Sequence, residues 1–245
     1  MYEKLINRMK LLGYKEHWIN NTVGWINEIN DVGVDGVDRW IRKILTNAKP
    51  ECSDHIAALR FTHALAINSF TEIELEPFDS GPDIKAKWNS KFIYFEVTRR
   101  RPEVDEWAPN FDLNSLPLEK AENIISKIQA KNRQLLIREL NIIVLWSDTW
   151  QVRMPNIEEA FRYIEREITQ NRGTYNKLSG ILFTTGGITQ TSKTLKQFHL
   201  IKNDNALKPV GIRLSKKLES LHERDVRKLQ REWKELAAAM RRLDS

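Results

Sequence analysis

The chain has 245 residues, 41% hydrophobic and 29% charged, enough to bury a real core in one medium-sized domain, which excludes disorder as the dominant state. A net charge of +6 and a pI of about 9.3 favour polyanionic partners such as nucleic acid without establishing them. One cysteine, Cys52, forbids an intrachain disulfide, and five scattered histidines give no zinc spacing, so a reducing, cytoplasmic setting is expected.

The opening segment, MYEKLINRMKLLGYKEHWIN, is amphipathic and charged, with no apolar secretory core. No run of about 18 apolar residues occurs anywhere, so a soluble protein without a membrane partner is the expectation. Leu5, Met9 and Leu12, then Val37, Trp40, Ile41, Ile44 and Leu45, recur at helical spacing and predict short helices over residues 1–50. Ser53 or Asp54 is placed to cap a further helix, DHIAALRFTHALAINSF, with Ile56, Leu59, Leu65 and Ile67 toward a sheet.

Three strand candidates follow in quick succession: EIELEP, PDIKAKW and KFIYFEVTR. Residues 101–117, rich in acids and prolines, read as a surface loop. A helix over LEKAENIISKIQAKNRQLLIREL comes next, with Ile124, Ile128, Leu135 and Leu136 inward, then NIIVLW, a strand covered on both faces. A helix over residues 157–168, the strand GILFTT and an edge strand near Gln197–Ile201 complete an α/β body over residues 51–213.

Residues 214–245 read as one long amphipathic helix whose seam is Val226, Leu229, Trp233, Leu236, Met240 and Leu243. It either docks on its own domain or pairs with another copy as a homo-oligomer. Its lysines and arginines alternate with acids, which suits a solvated face.

A two-residue turn at Asn89–Ser90 pairs Trp88 with Lys91, and counting back pairs Asp83 with Glu96. The alternation agrees: Ile84, Ala86, Trp88, Ile93, Phe95 and Val97 fall on one face, which must be the core face. Asp83, Lys85, Lys87, Tyr94, Glu96 and Thr98 fall on the other. Directly opposed side chains have Cβ atoms roughly 4.5–5.5 Å apart, and like charges so placed repel unless a cation lies between them. Two carboxylates at that separation suit Mg²⁺ or Mn²⁺, with water and a phosphate completing the shell. The alternative is neutralisation by Lys85, beside Asp83 and diagonal to Glu96, in a solvated charge cluster.

The element order, with Pro82-Asp83 ahead of Glu96-Val97-Thr98, resembles the PD-(D/E)xK nuclease superfamily over about residues 53–150. The resemblance implies a restriction-endonuclease-like mixed β-sheet flanked by helices, here with a helical N-terminal region and a long C-terminal helix. It also implies a metal-dependent nuclease, with DNA favoured over RNA. Asp83 and Glu96 would then be metal ligands, joined by the Val97 carbonyl.

Thr98 stands where the pattern has lysine, and it cannot supply positive charge to a developing phosphorane. Displaced lysines are familiar in the superfamily. Lys131 and Lys127, four apart on the following helix, are the candidates to replace it as catalytic residues, Lys131 slightly preferred, with Lys85 a third. Glu51 or Asp54 could supply the acid that many relatives carry on the first helix, although an N-cap is the simpler role for Asp54. Arg99, Arg100 and Arg101 are placed to bind nucleic-acid phosphates or to pair with acids of the loop. Trp107 in that loop offers a stacking surface for a base or an anchor for the loop.

GGITQTSKT lacks the glycine that should precede Lys193 in a phosphate-binding loop, and His55 and His63 are too far apart for one zinc site. The rival to an enzyme is a silent protein of the same fold that binds nucleic acid or serves assembly.

Overall fold

The structure, a computed structural model, describes residues 1–100, 121–147, 154–190 and 195–222. Its centre is a six-stranded mixed sheet in sequential order: β1 (Thr71–Leu75), β2 (Ile84–Trp88), β3 (Lys91–Arg100), β4 (Asn141–Ser147), β5 (Leu178–Gln190) and β6 (Leu195–Lys202). β1, β2 and β3 form an antiparallel meander, β3, β4 and β5 run parallel, and β6 returns antiparallel as the far edge. Each parallel step is bridged by a helix, α5 (Ala121–Asn132) between β3 and β4 and α6 (Met154–Gln170) between β4 and β5. Crossovers of one hand that advance in one direction put both helices on the same face.

Four helices precede the sheet: α1 (Tyr2–Leu11), α2 (Glu16–Asp31), α3 (Val37–Thr46) and α4 (Lys49–Ile67). α4 lies on the sheet and is itself covered by α2 and α3, on which α1 packs, so it is buried nearly all round, at Ile56, Ala57, Ala58, Leu59, Phe61 and Leu65 among others. Leu5, Met9, Trp40, Ile41 and Ile44 therefore share one continuous core with Ile84, Phe95, Val144 and Trp146. Ile67, expected inside, is 39% exposed because the helix ends there, beyond the sheet. The opposite face is a second core, where Ile128 of α5 and Ile164 and Ile168 of α6 meet Ile143, Ile181 and Phe183.

Several element boundaries differ from expectation. α4 begins at Lys49 with Pro50 in its first turn, where a missing N–H costs nothing, so Asp54 is a helical residue and not an N-cap. α5 stops at Asn132 instead of running to Leu140. The Asn141 side chain donates to the carbonyls of Leu136, Glu139 and Lys177, holding residues 133–140 in a turn in which Arg138 has φ +63°. The helix expected from residue 214 is the short α7 (Ile212–Glu219), which packs on β6 and ends at Ser220. The seam from Val226 to Leu243, the 101–117 loop with Arg101 and Trp107, and the side chain of Arg100 lie outside the described residues.

One glycine ties the helical layer to the sheet edge. Gly36, at φ +81° before α3, abuts β1, and a Cβ there would lie 2.3 Å from the Leu75 carbonyl oxygen. Beside it the Asp35 backbone donates to Ile73 and accepts from Leu75, which occupies part of the free edge of β1. No helix among the described residues is long and apolar enough to cross a membrane.

Candidate active site

The register of the β2–β3 hairpin positions the site. Asn89 and Ser90 take φ of +47° and +64°, the signature of a type I′ turn, and Trp88 pairs with Lys91 and Ile84 with Phe95. Continued by one residue, the ladder sets Asp83 opposite Glu96. Pro82 precedes Asp83 and has no N–H to extend the ladder. The Asp83 carboxylate takes over part of that role, its Oδ2 accepting the Val97 N–H at 2.8 Å. Asp83 is thereby held against the backbone of the strand that carries Glu96.

Ile84, Ala86, Ile93, Phe95 and Val97 are buried in the α4-side core, as the alternation requires, and Glu96 points to the other face. That face is half-open along β1–β2 and covered by α5 and α6 over β4 and β5. Glu96 falls at the boundary but is 1% exposed. Lys131, in the last turn of α5, reaches under the helix and donates to Glu96 Oε1 at 2.5 Å, and its Nζ also lies 3.3 Å from Gln134 Oε1. Lys127 sits one turn earlier on the same helix. Lys85 serves elsewhere: it pairs with Glu74 across the β1–β2 ladder at 3.3 Å and lies over the Phe92 ring. The neutralised Asp83–Glu96–Lys85 cluster is therefore replaced by a carboxylate pair, Glu96 buried and Asp83 half-buried, with one ammonium from α5.

The charges do not balance. Burial pushes Asp83 up to about 6, opposed by the Lys131 charge and the Val97 N–H. Burial and then the negative charge of Asp83 push Glu96 up to about 8, while Lys131 pulls it back. Lys131 is itself raised, because the attraction of Glu96 and Asp83 outweighs its burial. The two carboxyls thus titrate as a pair that retains a proton near neutrality, chiefly because burial disfavours two negative charges there. Glu96 Oε2 is buried and has no hydrogen-bond partner among the described residues. The Asp83 N–H is near enough to favour the carboxylate, but not in hydrogen-bond geometry.

An orphaned buried oxygen beside a second carboxylate, with a deficit of positive charge, fits a small hard cation. Among the described residues no cluster of three or more histidine, cysteine, aspartate or glutamate side chains assembles a metal cage. A cation here would rest on two carboxylates, the backbone and ligands from solvent or substrate, as Mg²⁺ commonly does.

Arg99, three residues beyond Glu96 on β3, is held by Asp54 of α4, Nε to Oδ1 at 3.2 Å, and the charge of Asp54 also acts on Lys131. Asp54 therefore belongs to the periphery of the site, whereas Glu51 is exposed at the start of α4. Gln134 escaped the sequence reading because residues 132–140 read there as helix; its only signal was its place three residues after Lys131. Cys52 is a buried free thiol, His63 pairs with Glu28, and His55 packs on Trp40, so none of these joins the site.

No family model matches the chain, and no curated protein or solved structure shows detectable similarity to it.

Proposed function

We propose that the protein is a metal-dependent phosphodiesterase of the PD-(D/E)xK type, acting on nucleic acid, with DNA the favoured substrate. The observation that carries this reading is the meeting of Asp83 and Glu96 from adjacent strands with the Lys131 ammonium at Glu96. Helix, antiparallel meander, helix and parallel strand follow in the order that the motif accompanies, and the sequential mixed sheet is consistent with a restriction-endonuclease-like fold. That fold remains part of the proposal.

Asp83 and Glu96 would hold Mg²⁺ or Mn²⁺, with the Val97 carbonyl the candidate backbone ligand. When bound, such an ion lowers the pKa of a coordinated water and polarises a phosphate. The protein's own contribution comes from fixed charges. Lys131, with its pKa raised, stays protonated at neutral pH, so its role is to orient the nucleophilic water and stabilise charge building on the phosphate, not to act as a base. In that role it stands in for the lysine that Thr98 cannot provide. Gln134 and Glu96 keep its ammonium in place. Arg99, braced by Asp54, supplies a guanidinium for a flanking phosphate.

Thr98, standing where the pattern has lysine, favours one rival, a silent nuclease-fold protein that binds nucleic acid without cutting it. Incubating labelled DNA and RNA with Mg²⁺ or Mn²⁺, beside Asp83→Ala and Glu96→Ala, separates the two. Cutting by the wild type alone is the expected result, and salt-sensitive binding with no cutting supports the rival.

A further inference from the structure

The row of acids across the sheet does not end at Asp83. β1 and β2 pair Leu75 with Ile84, so the next rung sets Glu76 opposite Asp83, as the β2–β3 ladder sets Asp83 opposite Glu96. The Glu76 N–H donates to the Asp83 carbonyl at 2.7 Å and closes the β1–β2 loop. Three acidic residues, just past β1, just before β2 and within β3, therefore stand in register. Glu76 takes φ +50°, a left-handed conformation uncommon for a residue with a Cβ, and strand alternation ends there. Its carboxylate pairs with the ammonium of Lys43, in the last turn of α3, which also lies over the Trp40 ring.

Asp83 thus stands between two lysine–glutamate pairs, Glu96–Lys131 on one side and Glu76–Lys43 on the other. The inner pair leaves Glu96 Oε2 buried and unpartnered among the described residues, an oxygen that points to a ligand. The outer pair is partly exposed, and such a tie between a helix and a strand end contributes little to stability. Its charges nevertheless reach the site. Burial is the main reason the Asp83 carboxyl is raised; beyond it, the Glu76 charge raises Asp83 further and the Lys43 charge lowers it. No three-acid cage forms among the described residues, so Glu76 acts on Asp83 from outside the ligand set. Charged groups one step beyond a metal's ligands tune how well those ligands bind. A negative charge there favours a cation at Asp83, and a positive one opposes it.

We propose that Glu76 and Lys43 are opposed positioning residues that set how tightly Asp83 and Glu96 hold a divalent ion, Glu76 strengthening the hold and Lys43 relaxing it. By answering the Glu76 charge, Lys43 also spares an incoming phosphate its repulsion. Both roles rest on the reading of Asp83 and Glu96 as metal ligands.

The test is calorimetric titration of the metal-free full chain with Mn²⁺, at low and at high salt. Glu76→Gln should weaken Mn²⁺ binding about three- to tenfold and Lys43→Gln should tighten it by a similar factor, the scale of one partly screened charge acting on a divalent ion. Lys43→Arg, which keeps the charge, should stay within about twofold of the wild type, and Glu76→Gln combined with Lys43→Gln should return close to it. High salt should shrink the single differences, as it would not shrink a loss of packing. Weaker binding in both single variants, the mark of a merely structural tie, overturns the proposal, and so does unchanged binding in both. A Lys43→Arg protein that behaves as Lys43→Gln overturns it as well. A wild type that binds no Mn²⁺ overturns the metal-ligand reading and the proposal with it. Opposite shifts in a protein that cuts neither DNA nor RNA support the proposal and overturn the nuclease reading alone.

Discussion

Two lysine–glutamate pairs share one face of the sheet, Glu74–Lys85 on the open β1–β2 ladder and Glu96–Lys131 under α5. In the first, both side chains are 27% exposed and the Nζ–Oε2 distance is 3.3 Å. In the second, Glu96 is 1% exposed, a second carboxylate stands opposite it, and one of its oxygens has no partner among the described residues. The first pair is a cross-strand decoration of the kind that contributes little in water. The second is a buried charge imbalance, which a fold keeps at a cost, and such imbalances concentrate at functional sites. Residue type says nothing of this difference; cover by a helix decides it.

The contrast is broken most strongly by truncating the acids of the α5-covered site. Asp83→Ala and Glu96→Ala should each lower metal-dependent cleavage by about 10³-fold or more, whereas Glu74→Ala should change it less than about twofold, measured as initial rates on labelled DNA. Lys131→Ala should cost about 10²–10³-fold, the usual loss when one fixed donor to the developing charge is removed, and Lys85→Ala should again be silent.

Next in size is a pH effect on stability. Asp83 and Glu96 both have folded pKa values above their unfolded ones, so the native state binds more protons between about 4 and 8 and loses stability as pH rises through that window. In EDTA the Tm should fall from pH 5 to pH 8.5, at a scale set by those shifts. Glu96→Gln should flatten the slope and raise Tm at the alkaline end, and a slope unchanged by that substitution would show that the buried pair is not its source. The smallest effect is on the open ladder, where Glu74→Gln or Lys85→Gln should shift stability by less than about 1 kcal/mol, a difference that shrinks further with salt in thermal melts.

What could be read without coordinates follows the same division. The pairing of Asp83 with Glu96 was legible because strand alternation and a turn with two positive-φ residues are local, and a one-residue slip would have turned Phe95 and Val97 out of the core. That β4 is covered on both faces was legible in its unbroken apolar run. Lys131 could be narrowed to a helix face and no further, since the rotation of α5 over the sheet depends on packing between Ile128 and Ile143 of β4 that no local pattern encodes. Asp54 resembles a cap because it is an aspartate near a helix start, but Pro50, suited to a first helical turn, marks the true start one turn earlier.

The account stands on Asp83 and Glu96 jointly holding a divalent ion. Calorimetric titration of the metal-free protein with Mn²⁺ tests that directly, with Asp83→Asn and Glu96→Gln alongside, both near-isosteric and expected to fold. The prediction is saturable binding by the wild type that each substitution weakens about tenfold or more, with a matching rise in Tm for the wild type only. No Mn²⁺ binding by the wild type, or equal binding by all three proteins, would contradict it.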